Sequence, residues 1–108
     1  MKPIRTYEIT VQGYPPALYC ARSPGKARSR CWGDYSTCHT TTFKDFLKIS
    51  RIRVVPNPPG VGDRILVSGQ PATRVKGGGG QYVAFMRDDS DAILHSHPLD
   101  VQPMPATP

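Results

Sequence analysis

The five residues PNPPG, 56–60, constrain this chain more than any other stretch. Proline lacks the N–H that a helix interior or central strand requires, and it fixes φ, so no regular element runs through three prolines in five positions. The chain is therefore read as two small parts, with residues 56–60 as a linker. The two parts also differ in pattern and charge. Residues 1–55 hold ten Lys or Arg against three acids, a surplus of seven, whereas residues 56–108 hold four against five, a deficit of one. The net charge of +6 thus resides wholly in the amino-terminal part, which any polyanion would meet first.

Before the linker the pattern is mixed. In RTYEITVQ, 5–12, Tyr7, Ile9 and Val11 alternate with Thr6, Glu8 and Thr10, the period of a strand with one buried face. The turn GYPP leads to a second strand, ALYCA, 17–21, hairpinned to the first. Ser23 is a good N-cap and Pro24 suits the first helical position, so a helix is predicted from Pro24 to about Tyr35. Ala27, Cys31 and Tyr35 form its inner stripe, and Lys26 and Arg30 lie on its solvent side. Arg28 lies nearer the apolar flank, where it packs beside Trp32 or pairs with Asp34 or Asp45. Thr42 caps a second helix, FKDFLKIS, with Asp45 three residues on. Phe43, Phe46 and Leu47 make its apolar face, and Lys44 and Lys48 form a basic pair. RIRVV, 51–55, reads as a third strand exposing Arg51 and Arg53.

After the linker come short apolar segments separated by turns: DRILVS (63–68), a Gly69-Gln70 turn, PATRVK (71–76), a glycine-rich tip at 76–80, QYVAFMR (81–87), the acidic turn DDSD and AILH (92–95). HPLDV, 97–101, is a tight turn leading to a short last strand, and the tail 104–108 is expected to fray. Five short strands of this kind, carried by GDRILV, ATRV, YVAF and HPLDV, resemble an SH3-like or KOW-like small barrel over residues 60–103. The amino-terminal half, with SPGKAR…W and TFKDFLK, resembles small uncharacterised proteins encoded by phages and prophages, a resemblance that brings no assigned activity. The expected fold is α+β. A small strand–helix–helix–strand unit, 1–55, packs on an SH3-like five-stranded β-barrel, 61–103.

The candidate nucleic-acid-binding residues are Lys26, Arg30, Lys44, Lys48, Arg51 and Arg53, which would contact successive phosphates if they share a face. The competing reading is an ordinary solvated surface. Tyr14, Tyr19, Trp32 and Tyr35 lie near the basic stretch, where exposed rings would stack on bases, although Trp32 and Tyr35 suit the inner side of the first helix better. HSHP, 95–98, looks like the start of the ligand set of JAMM-type zinc isopeptidases. The serine that set needs downstream has no counterpart here, so the match is rejected and no metal site is assigned. His95 and His97, two apart on an extended segment, could still hold a metal with Cys38 or His39, against the plainer reading of a histidine pair at the end of a strand. KGGGG lacks the order of a phosphate-binding P-loop, and DDSD lacks EF-hand spacing. Cys20, Cys31 and Cys38 are odd in number and fit reduced thiols. No nucleophile–base set or cofactor loop stands out, so the chain is expected to be a non-enzyme without cofactor or small-molecule substrate.

The expected function is a small basic protein, kept in a cytoplasm and off membranes, that binds DNA, RNA or a nucleoprotein through its amino-terminal half. The alternative is a phage- or prophage-encoded module that binds a host protein. Such a module would be an inhibitor of a host defence complex (anti-CRISPR-like) or a small virion component.

Overall fold

The computed structural model describes residues 2–77 and 80–104. It is a mixed α+β structure with two helices and two antiparallel sheets, of three and five strands. The chain divides into two compact units at Pro56–Asn57: Ile4–Pro56 with Lys2 form one, and the chain from Asn57 onward, with Pro3, forms the other. The middle of the 76–80 glycine tip and the tail from 105 lie outside the described residues.

In the amino-terminal unit, β1 (Arg5–Val11) lies between β2 (Ala17–Ala21) and β3 (Ser50–Val55), antiparallel to both. The β1–β2 hairpin is local. The β1–β3 ladder is not: it sets Glu8 opposite Arg53, Ile9 opposite Ile52 and Thr10 opposite Arg51. Helices α1 (Pro24–Ser36) and α2 (Phe43–Ile49) cover the sheet face that carries Tyr7, Ile9, Val11 and Ile52. Ala27 and Cys31 of α1 and Phe46 of α2 are buried against that face.

Both helix starts follow from local chemistry. The Ser23 side chain accepts from the Lys26 amide with Pro24 in the first turn, and the Thr42 hydroxyl accepts from the Asp45 amide. The polar face of β1 is not wholly wet. Thr6 is fully buried, and its hydroxyl oxygen lies 3.7 Å from the sulfur of buried Cys20. An alternating pattern gives the two faces of a strand but does not say whether the polar one stays open.

The second unit holds β4 (Arg64–Val67), β5 (Gln70–Arg74), β6 (Val83–Arg87), β7 (Ile93–Ser96) and β8 (Val101–Pro103). Its hydrogen-bonded order, β7-β6-β5-β4-β8, does not return on itself. The expectation of a closed barrel is corrected accordingly: β7 and β8 are the edges of an open five-stranded sheet. The β4–β5 turn falls one residue earlier than predicted. Ser68 and Gly69 both have positive φ (51° and 80°) between the paired residues Val67 and Gln70. That is the hairpin geometry whose twist matches the flanking strands, and glycine takes its second position without strain.

At the start of the unit the Gly62 amide donates to the Arg74 carbonyl at 2.8 Å. Gly62 has φ +92°, a left-handed conformation that glycine adopts without strain, so the loop leaving the linker favours glycine there. The tight turn before the last strand is a 3-10 turn, Pro98–Asp100, capped by His97, whose Nδ1 accepts from the Leu99 amide. No described helix is long and apolar enough to cross a membrane.

Candidate functional site

The six cations singled out in the sequence do not form one cluster. Lys26, Lys44 and Lys48 are exposed on the helical layer, the last two one turn apart on α2. Arg30 is half-buried. Its guanidinium donates to the Cys20 carbonyl of β2 at 2.8 Å, and burial lowers its pKa. It ties α1 to the edge strand rather than reaching outward.

Arg51 and Arg53 alternate with Ile52, and Ile52 faces the helices. The two arginines therefore lie on the other side of the sheet from the helix lysines. Arg53 is also engaged: it makes a two-pronged contact with its cross-strand partner Glu8, at 3.0 and 3.3 Å, and that carboxylate raises its pKa. Arg28 pairs with neither candidate acid through its Nε, which is buried without a partner.

The rings also sort themselves. Trp32 donates its indole N–H to the Thr41 carbonyl at 2.8 Å and packs edge-on against Phe43, which makes it part of the interior. Three tyrosines instead gather around a cavity of about 300 Å³ between the β1–β2 hairpin and the second half of α1. Ile9, Val11, Pro15 and Ala17 give it an apolar floor. Tyr14 stands nearly perpendicular to Tyr35, with ring centroids 6.0 Å apart, and Tyr35 stacks on His39 at 4.4 Å. The Tyr14 hydroxyl and His39 Nε2 are 2.6 Å apart.

Tyr19 closes one side of the cavity by donating its hydroxyl to Asp34 at 2.8 Å. Cys31 and the exposed Cys38 complete the lining. From the sequence, Tyr14 and Tyr19 read as rings near the basic stretch that could stack on bases, and Tyr35 better as part of the inner side of the first helix. That they converge with Asp34 and His39 depends on how the hairpin folds over α1, and no spacing motif encodes that.

Burial, and then the bond to Asp34, push the Tyr19 pKa well above its ordinary value near 10. Burial likewise raises that of Cys31. Above those ordinary values the unfolded chain loses protons that the folded chain keeps. Stability contributed by these groups is therefore full below about pH 9 and declines as the pH rises through 9 to 11. Tyr19→Phe should be less stable at pH 7 by about 1 kcal/mol, for one lost hydrogen bond. It should also show a shallower alkaline decline. Urea unfolding at stepped pH checks this, and parallel curves for the two proteins would refute it.

No protein-family model, no curated protein and no solved structure matches the chain. The chemistry must therefore be read from the residues alone. Among the described residues, no three His, Cys, Asp or Glu are placed to hold a metal ion. His97 is occupied as the cap of the 3-10 turn. In the second unit, Arg64 bridges Thr73 (3.0 Å) and both carboxylate oxygens of Asp88 (2.7 Å to Oδ2), a contact that locks the ends of β4, β5 and β6 together.

Proposed function

We propose that this protein is a small non-enzymatic binding protein of a cytoplasm whose amino-terminal unit contacts nucleic acid, alone or within a nucleoprotein, through Lys26, Lys44 and Lys48. The observation that carries this reading is charge balance. The first 55 residues hold ten cations and three acids. Glu8 is occupied by Arg53, and Asp34 accepts from Tyr19. The first 55 residues therefore carry a formal surplus of seven positive charges, with Lys26, Lys44 and Lys48 exposed.

The three lysines ride on two helices that cover the same side of the sheet, and contact with successive phosphates needs only such proximity. Arg30 acts as a brace for α1 and Arg53 as the cross-strand partner of Glu8, and Arg51 lies on the far face of the sheet, outside this contact. The second unit is an SH3-like scaffold. Its five short antiparallel strands, with a 3-10 turn before the last, support that assignment.

The test is fluorescence anisotropy with single-stranded and duplex oligonucleotides at several salt concentrations. Three phosphate contacts on a duplex should give a log–log salt slope of roughly −2.7, a loss of about 40-fold between 50 and 200 mM. Lys26→Glu, Lys44→Glu and Lys48→Glu combined should abolish the slope while leaving the circular dichroism unchanged. Arg30→Glu is unsuitable as a probe, because it would break the bond to the Cys20 carbonyl. Binding indifferent to salt, or unaffected by the triple variant, would overturn the reading.

A second reading, that of a phage- or prophage-encoded module binding a host protein, rests on apolar side chains exposed in the second unit. Leu99 is 85% exposed and Tyr82 57%. In a pull-down from nuclease-treated host lysate, a partner that is retained by the protein and lost on Leu99→Glu would favour it.

A further inference from the structure

We propose that the cavity walled by Tyr14, Tyr19 and Tyr35 binds a quaternary or methylated ammonium group. The cavity's composition is the opposite of its surroundings. The unit holds ten Lys and Arg, yet none lines this space, and its one carboxylate is Asp34. An anion is disfavoured there, and a bare ammonium or metal ion would lose its hydration shell against an apolar floor.

An alkylated ammonium satisfies both demands. Its methyl groups pack on Ile9, Val11 and Ala17, and its diffuse positive charge faces the electron-rich phenol rings. Tyr14 and Tyr35 are in edge-to-face contact at 87° and together make one aromatic side of the space, with Tyr19 lining it as well. Tyr35 is held by the stack on His39, Tyr14 by its contact with His39 Nε2. The Tyr19–Asp34 hydrogen bond keeps the carboxylate at the rim while leaving it its negative charge. The walls are therefore fixed before a ligand arrives, which lowers the ordering cost of binding. At about 300 Å³ the space is at the small end for ligand cavities and suits a headgroup rather than an extended molecule.

The site is separate from the lysines proposed to meet phosphates, so either assignment stands or falls without the other. The test is NMR titration of the whole protein with choline and with 3,3-dimethylbutan-1-ol, its neutral isostere of the same shape. Choline should shift the Tyr14, Tyr35 and His39 resonances saturably at millimolar concentration and bind at least about tenfold more tightly than the isostere.

Asp34→Asn keeps an acceptor for the Tyr19 hydroxyl but removes the charge. It should cost choline about tenfold and leave the isostere unchanged. A trimethyllysine peptide distinguishes the source of the group. If it binds more tightly than choline and its unmethylated form does not bind, the natural ligand is a modified protein tail; if it is no better than choline, the ligand is a free headgroup. Equal binding of choline and isostere, or no shift from choline or the methylated peptide up to about 50 mM, overturns the proposal.

Discussion

Phe46→Ala should unfold the amino-terminal unit or leave it barely folded at room temperature. Phe46 is 0% exposed, and its ring centroid lies 5.6 Å from that of Tyr35. It shares one core with Tyr7, Ile9, Val11, Ala27 and Cys31. Helix α2 is only seven residues long, too short to persist without packing. Its fully buried side chain is Phe46, and the Phe46 carbonyl also accepts the Ser50 hydroxyl at 2.8 Å where the helix turns into β3.

Removing the ring should cost about 3–5 kcal/mol. A unit of this size has a total stability of roughly 3–8 kcal/mol, so the loss is most or all of it. Trp32 is the chain's single tryptophan and packs on Phe43 at the start of α2, so its fluorescence reports on this unit. The expected result is a fall in its thermal midpoint of more than about 15 °C, or no cooperative transition. A cost below about 1 kcal/mol would mean that α2 is not held by this core.

Phe85→Ala should do comparable damage to the second unit, at about 3–5 kcal/mol. Phe85 is 3% exposed, at the centre of a small core with Ile65, Val67 and Ala72. Ala84 and Met86 on either side are fully buried as well, so β6 is enclosed on both faces. The strands around it are four or five residues long, and each contributes little ladder of its own. Phe85→Leu keeps most of the volume and should cost less than about 1.5 kcal/mol. Amide exchange at Val67 and Thr73 gives the readout: protection should collapse in the Ala variant and persist in the Leu variant. Equal protection in both would show that the core does not depend on the ring.

Much of this molecule is local, and what is local could be read from the chain. Ser23 followed by Pro24, and Thr42 three residues before Asp45, start helices because their hydroxyls meet amides within one turn. The alternation of Tyr7, Ile9 and Val11 marks a strand face. Even the capped turn at 97–100 is a matter of neighbouring residues.

Where an outcome depended on which distant segment pairs with which, the chain alone was silent. The ladder between β1 and β3 joins residues about forty to fifty positions apart; it places Arg53 on Glu8 and puts Arg51 and Arg53 behind the sheet, away from the helix lysines. Arg30 looked solvent-facing by helical period, and only the position of β2 turned it into a brace. The tyrosine cavity is built from residues between 9 and 39 that share no spacing rule. Periodicity specifies which side of an element is apolar; packing specifies what that side meets. Side-chain period and capping are properties of a few consecutive residues, whereas pairing, burial of a polar face and the convergence of a site are properties of the closed chain.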